Sequence, residues 1–112
     1  MRLKRAYESP TADDGTRVLV DRLWPREVKK TDAAIDHWVK DLAPSTELRK
    51  WFGHDPARWE EFRRRYSTEI QRHRDELDRL REFARKGTLT LVYGAHDELH
   101  NNAVILKEIL LT

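Results

Sequence analysis

The chain has 112 residues, with 22 Lys and Arg against 20 Asp and Glu; its formal net charge of +2 is no excess of the kind that implies a nucleic-acid or membrane-surface binder. It is long enough for one domain with a modest core, and four Trp, three Tyr and three Phe argue against disorder. Cysteine is absent, which excludes disulfides, thiolate metal sites and a cysteine nucleophile and suits a reducing cytoplasm. The start, Met-Arg-Leu-Lys-Arg, lacks the apolar stretch of a signal peptide, and no later run is long enough to span a bilayer. A cytoplasmic protein with no membrane partner is therefore expected.

In chain order, Leu3 to Tyr7 is short and basic and predicts an edge or near-edge strand. Glu8 to Gly15 is dense in turn formers and predicts a loop. Val18-Leu19-Val20 has no polar alternation, as in a strand covered on both faces, and Asp21 and Arg22 place opposite charges at its carboxyl end. Pro25 then fixes its own φ and biases Trp24 towards extended backbone, which stiffens the exit loop. A loop follows to Lys30, with Thr31 or Asp32 as the cap of a short turn. Ile35 to Lys40 alternates apolar and polar residues like a half-buried strand, although a short helix also fits.

Ser45 is a good N-cap for a helix running through Trp51, with Gly53 as its stop. Asp55-Pro56 repeats that start signal. Trp59, Phe62, Tyr66 and Ile70 recur at helical spacing, as do Leu77, Leu80, Phe83 and Ala84, with Gly87 as a second stop. The two helices either break near His73 or run on as one kinked rod. Thr88 to Tyr93 is the clearest strand, Gly94 permits a sharp turn, and Asp97 is the expected cap of a last, broadly apolar helix over Glu98 to Leu111. So wide an apolar surface predicts packing on the sheet or a homodimer interface. Strands separated by helices imply βαβ connections, hence a single α/β domain over 1–112 with a small, mostly parallel sheet of about four strands flanked by helices.

Sites in open α/β sheets form outside the carboxyl ends of the strands. If the strands ending at Asp21 and Tyr93 are neighbours, their exit loops collect Asp21, Arg22, Trp24, Arg26, Tyr93, His96, Asp97, His100 and Asn101 on one rim. A small anionic ligand, phosphate or carboxylate, suits that set. Arg22 and Arg26 would be anion donors, and Trp24, Tyr93 and Asn101 further ligand contacts. Asp21 would be an orienting carboxylate, and His100 the acid–base group if the protein is an enzyme. The competing interpretation is an internal Asp21–Arg22 pair that braces the two loops.

His96 and His100 stand four apart and invite a metal interpretation, with His37 or Asp21 as a third ligand. A capping Asp97 explains the same residues, so neither a metal nor a cofactor is predicted. Ser45 is explained by capping rather than nucleophilic chemistry, and Asp41 with Glu47 has no supporting feature. Trp38, Trp51 and Trp59 are expected in the core. Arg63-Arg64-Arg65 would begin a nucleic-acid patch in a regulatory protein, but Glu60, Glu61 and Glu69 around it favour a solvated face.

Several joined motifs resemble one family in order along nearly the whole chain. They are Val-Leu-Val-Asp-Arg-Leu-Trp-Pro-Arg (18–26), Trp38 with Lys40, Leu42-Ala-Pro-Ser45, Leu48-Arg-Lys-Trp-Phe-Gly-His-Asp55, Phe62 with Tyr66, and Thr88-Leu-Thr-Leu-Val-Tyr93 followed by Asp97, His100-Asn101 and Ala103-Val104. Together they resemble the YeaO-like branch of the DUF488 family. The resemblance implies a small cytoplasmic bacterial α/β domain and leaves its reaction open. Where that family usually has glycine after Trp-Pro-Arg, this chain has Glu27, a residue ill suited to positive φ that adds a carboxylate to the rim. The longer DUF488 branch has a Cys-His-Arg segment after its last strand. Here His100-Asn101-Asn102 takes that place, so any thiol-based activity of that branch does not carry over.

Overall fold

The Val18-Leu19-Val20 run lacks polar alternation because both of its faces are covered. All three residues have zero solvent exposure in the computed structural model, which describes residues 1–112. Strands β1 (Arg2–Arg5), β2 (Thr16–Leu19), β3 (His37–Trp38) and β4 (Leu89–Tyr93) form one sheet, order β1-β4-β2-β3, with every pair parallel. Strands β2 and β4 are direct neighbours, with Val18 opposite Leu91 and Leu19 opposite Val92. The ladder continues past Leu19, since Val20 N donates to Val92 O at 3.1 Å. Their exit loops therefore leave the sheet side by side.

Pleating divides the apolar residues between two layers. Val18, Val20, Leu89, Leu91 and Tyr93 join the main core under helices α2 (Thr46–Phe52), α3 (Trp59–Ile70), α4 (Arg74–Lys86) and α5 (Asn102–Leu110). Leu19 and Val92 belong to a smaller cluster with Ala6, against which Trp24, Ile35 and Trp38 pack. Helix α3 buries Trp59, Phe62, Tyr66 and Ile70 as its spacing predicts, and Phe62 stacks on Phe52 of α2 with ring centroids 4.2 Å apart. Each such buried side chain stabilises the fold by about 1.5–3 kcal/mol, so this layer is the main source of stability. Trp59 is buried, whereas Trp38 and Trp51 are half-buried.

The local signals mostly act where expected. Ser45 Oγ accepts from Leu48 N at 3.1 Å, and Gly53 closes α2 in the left-handed region at φ 54°. Asp55 caps a 3-10 turn over Pro56–Arg58 that leads directly into α3. The chain breaks between α3 and α4 at His73. The strand expected over Ile35 to Lys40 is the two-residue β3, and the short helix α1 (Lys30–Ala33) has Lys29, not Thr31 or Asp32, at its N-cap position.

One boundary differs in a way that matters for the site. The last helix begins at Asn102, not Glu98, and its cap is Asn101, whose side chain accepts from Val104 N at 3.1 Å. Asp97 instead closes a local turn by accepting from Leu99 N at 2.9 Å and His100 N at 3.0 Å. Two adjacent cap-forming sequences compete here. The later one wins because helix α5 then buries Ala103, Ile105, Leu106 and Leu110 in the main core, which accounts for most of its apolar surface within the chain.

Near the start of β2 lies a buried ionic cluster in the segment expected to be plain loop. Asp14, fully buried at the end of a 3-10 turn (Ala12–Asp14), accepts from Arg17 Nη1 at 2.7 Å, Lys4 Nζ at 3.1 Å and Thr11 N at 3.0 Å. Burial alone would raise its pKa. The hydrogen bonds from Thr11, Lys4 and Arg17 outweigh that and hold the carboxyl well below the usual carboxylate range. Arg17 also donates to Ala33 O at 2.8 Å, so the cluster ties β2 to α1.

Candidate functional site

The site forms because two strands end together and their exits are joined by a carboxylate. Asp21 Oδ2, just after β2, accepts from Gly94 N at 2.8 Å, just after β4. Glycine eases this approach, since a Cβ there would stand a tight 3.2 Å from that oxygen. The Asp21 backbone is fixed too, its carbonyl accepting from Trp38 Nε1 at 2.7 Å. Burial raises the pKa of Asp21, opposed by the Gly94 N–H, the Asn102 amide and the nearby charges of His54 and Arg49.

Arg22 does not pair with Asp21. Its Nε donates to Pro44 O at 3.1 Å, which joins the β2 exit to the turn before α2. Trp24 donates through Nε1 to Val28 O at 2.6 Å and meets Trp38 edge to face at 5.4 Å, so the Trp-Pro-Arg loop is braced from within. Glu27 adopts φ 63°, so the turn for which the family resemblance implies glycine is present here with a carboxylate-bearing residue. On the other loop, Asn102 Nδ2 donates to Val20 O at 2.9 Å and locks the start of α5 to the end of β2. Arg5 Nε donates to Ala95 O at 2.8 Å from the β1 side.

These loops enclose a cavity of about 520 Å³, within the range of small-molecule sites. Asp21, Arg22, Trp24, Arg26, His96, Asp97 and Asn101 line it, as does Gly94. Tyr93 and His100 do not. Tyr93 is buried in the main core, and the His100 ring lies edge-on against Trp59 at 5.1 Å, its Nδ1 2.9 Å from Asp97 Oδ2. With no helix over 98–101, His96 and His100 do not share a helical face. Instead, His96 Nδ1 lies 3.2 Å from Arg5 Nη2.

Sequence reasoning missed the wall supplied by α2 and its exit: Arg49, Phe52 and His54, together with Phe62 of α3 and Asn102 of α5. Arg49 and His54 are exposed, and Arg49 forms no ion pair within the fold. His54 holds φ 56°, a left-handed conformation unusual for a residue other than glycine, which turns the chain at the end of α2. A usable signal was present in Arg49-Lys-Trp-Phe-Gly-His54. An arginine one turn before a left-handed stop, followed by a histidine, marks a helix end presenting cations. That signal acquires meaning only once β3 is known to precede α2 on the same edge.

The arginine run is occupied elsewhere. Arg63 pairs with Glu108, while Arg64 and Arg65 both pair with Glu61, Arg65 at 2.7 Å. No helix is long and apolar enough to cross a membrane.

A four-stranded parallel α/β domain with a polar cavity at its strand carboxyl ends is the class of protein that fold and site define. The chain belongs to the DUF488 family: the family model described as "Inactive DUF488-N3 subclade" matches residues 1–112. It is 46% identical over 105 residues to the uncharacterized protein YeaO of Escherichia coli K12, covering 94% of this chain and 91% of that one. It is 39% identical over 110 residues to the uncharacterized protein Rv3073c of Mycobacterium tuberculosis H37Rv, covering 98% of this chain and 92% of the relative. The same identity and coverage hold for the uncharacterized protein Mb3100c of Mycobacterium bovis. No solved structure matches.

Proposed function

We propose that this protein is a cytoplasmic small-molecule-binding protein whose ligand is anionic and occupies the cavity between the Asp21–Arg26 and Gly94–Asn102 loops. The observation that carries this reading is the cation set on the wall: Arg26 and Arg49 are exposed, line one cavity and have no carboxylate partner in the fold. Guanidinium groups left free in a preformed concavity suit phosphate or carboxylate recognition. Arg22 lines the same cavity, with its Nε committed to Pro44 O, so its main part is to position the loop. The family description, "Inactive", and the absence of any cysteine favour binding over thiol catalysis. His54 and His96, rather than His100, are the imidazoles that would stand beside the ligand.

Thermal-shift titration of the intact protein with inorganic phosphate, pyrophosphate and small dicarboxylates tests this. At least one anion is expected to raise the melting temperature in a saturable way, with Arg49→Ala weakening its apparent affinity about tenfold or more. Unchanged melting across all of them, in wild type and variant alike, would refute the reading.

A further inference from the structure

The cavity combines features that a bare anion would not use. Its lining includes, besides the arginines, the carboxylate of Asp21 and the aromatic side chain of Trp24. Asp21 Oδ2 accepts from Gly94 N at 2.8 Å; the Asn102 amide, which donates to Val20 O, also favours the ionised carboxyl but makes no well-formed hydrogen bond to Oδ1. No buried side-chain polar atom of the molecule lacks a partner, so Oδ1 opens into the cavity. A phosphate or carboxylate placed against it would be repelled. The group that satisfies it must bring a hydrogen-bond donor, N–H or O–H.

Half-buried Trp24 offers its aromatic surface to the same cavity, which the buried Phe52 and Phe62, stacked on each other at 4.2 Å, reach with little exposed area. Such surfaces suit a flat ring, since aromatic rings stack on apolar and aromatic faces. The volume, about 520 Å³, has room for a ring, a sugar and an anionic group. A carboxylate pairs in bidentate fashion with two adjacent N–H donors on one ring edge, as guanine offers at N1–H and its exocyclic amine. Adenine offers an acceptor beside its amine and leaves a carboxylate oxygen unsatisfied.

Resting on the anion-binding reading above, we infer that the ligand is a guanine-type purine nucleoside phosphate, its base edge read by Asp21 and its phosphate held by Arg26 and Arg49. The fold holds Asp21 in place for this role. Gly94 lets the β4 exit approach the carboxylate, and Trp38 fixes its backbone. Burial disfavours ionised Asp21 in the free protein, and two ligand N–H groups, one at the open Oδ1 and one sharing Oδ2 with Gly94 N, would favour it.

The test is calorimetric titration of wild type and Asp21→Asn with GMP, AMP and ribose 5-phosphate. Wild type is expected to bind GMP about tenfold or more tightly than AMP, and Asp21→Asn to reduce that preference to within about threefold while still binding ribose 5-phosphate. Asp21→Asn removes a charge that burial disfavours and keeps an acceptor for Gly94 N, so it is expected to melt no lower than wild type. If that variant fails to fold, the wild-type preference alone decides. Equal affinity for all three ligands would overturn the base assignment and leave the anion site standing. Binding of none would overturn both.

Discussion

Asp14 and Asp21 are acidic residues at opposite ends of β2 with opposite fates. Asp14 is surrounded by donors, and its ionised form is favoured despite complete burial. A carboxyl whose folded-state pKa is depressed adds stability in full above its ordinary value near 3.8, and that stability is lost as pH falls towards the folded-state value. Replacing Asp14 with Ala strands the buried Arg17 guanidinium. It should cost about 3–5 kcal/mol by urea unfolding at pH 7 and flatten the acid limb of the stability profile. An unchanged midpoint would mean that Lys4, Arg17 and Asp14 do not act together. Asp21 shows the reverse pattern, a raised pKa with few donors, where a largely buried carboxylate lines the cavity. Groups that fold stability would discard are where function is most often found.

Among the elements, the loops after β2 and α2 carry the unusual geometry beside the cavity. Glu27 and His54 both hold positive φ, at 63° and 56°, the first beside the cavity's Trp-Pro-Arg wall and the second lining it. A residue with a Cβ in the left-handed region costs roughly 1–2 kcal/mol, offset in part because glycine is more disordered when unfolded. Glu27→Gly is therefore expected to raise stability by up to about 1 kcal/mol, measured as the shift in urea midpoint. A loss of stability would show that the Glu27 side chain itself holds the loop. The shift of the last helix start from Glu98 to Asn102 belongs to this scale as well. Asp97 and Asn101 are both competent caps, and tertiary contacts select between them: the apolar face that α5 buries and the bond from Asn102 to Val20 O. That bond connects residues 82 apart in sequence, which is why a local pattern could not reveal it.

For the molecule as a whole, much of the sheet was legible because its strands announce themselves. Val18 to Val20 and Leu89 to Tyr93 are apolar without alternation, which implies burial on both faces and hence central, adjacent positions. That placement brought Asp21, Arg22, Trp24, Arg26 and Asn101 to one cavity. What stayed hidden was the third wall. Arg49, Phe52 and His54 read locally as an amphipathic helix and its stop, and only the packing of α2 and α3 on the sheet turns them towards the site. Tyr93 points into the core because side-chain direction alternates along a strand, and His100, in the loop before α5, is turned against Trp59 with its Nδ1 beside Asp97. The arginines of α3, conspicuous in sequence, are engaged by Glu61 and Glu108 on the helical surface.

The most direct measurement is a proton–nitrogen correlation spectrum of the labelled protein, titrated with GMP and with inorganic phosphate. Saturable shifts confined to the amides of Asp21 to Arg26, Arg49 to His54 and Gly94 to Asn102 are the expected result, with phosphate moving the arginine-bearing segments. Shifts centred on Arg63 to Arg65, or none anywhere, would contradict the central claim that this cavity is the binding site.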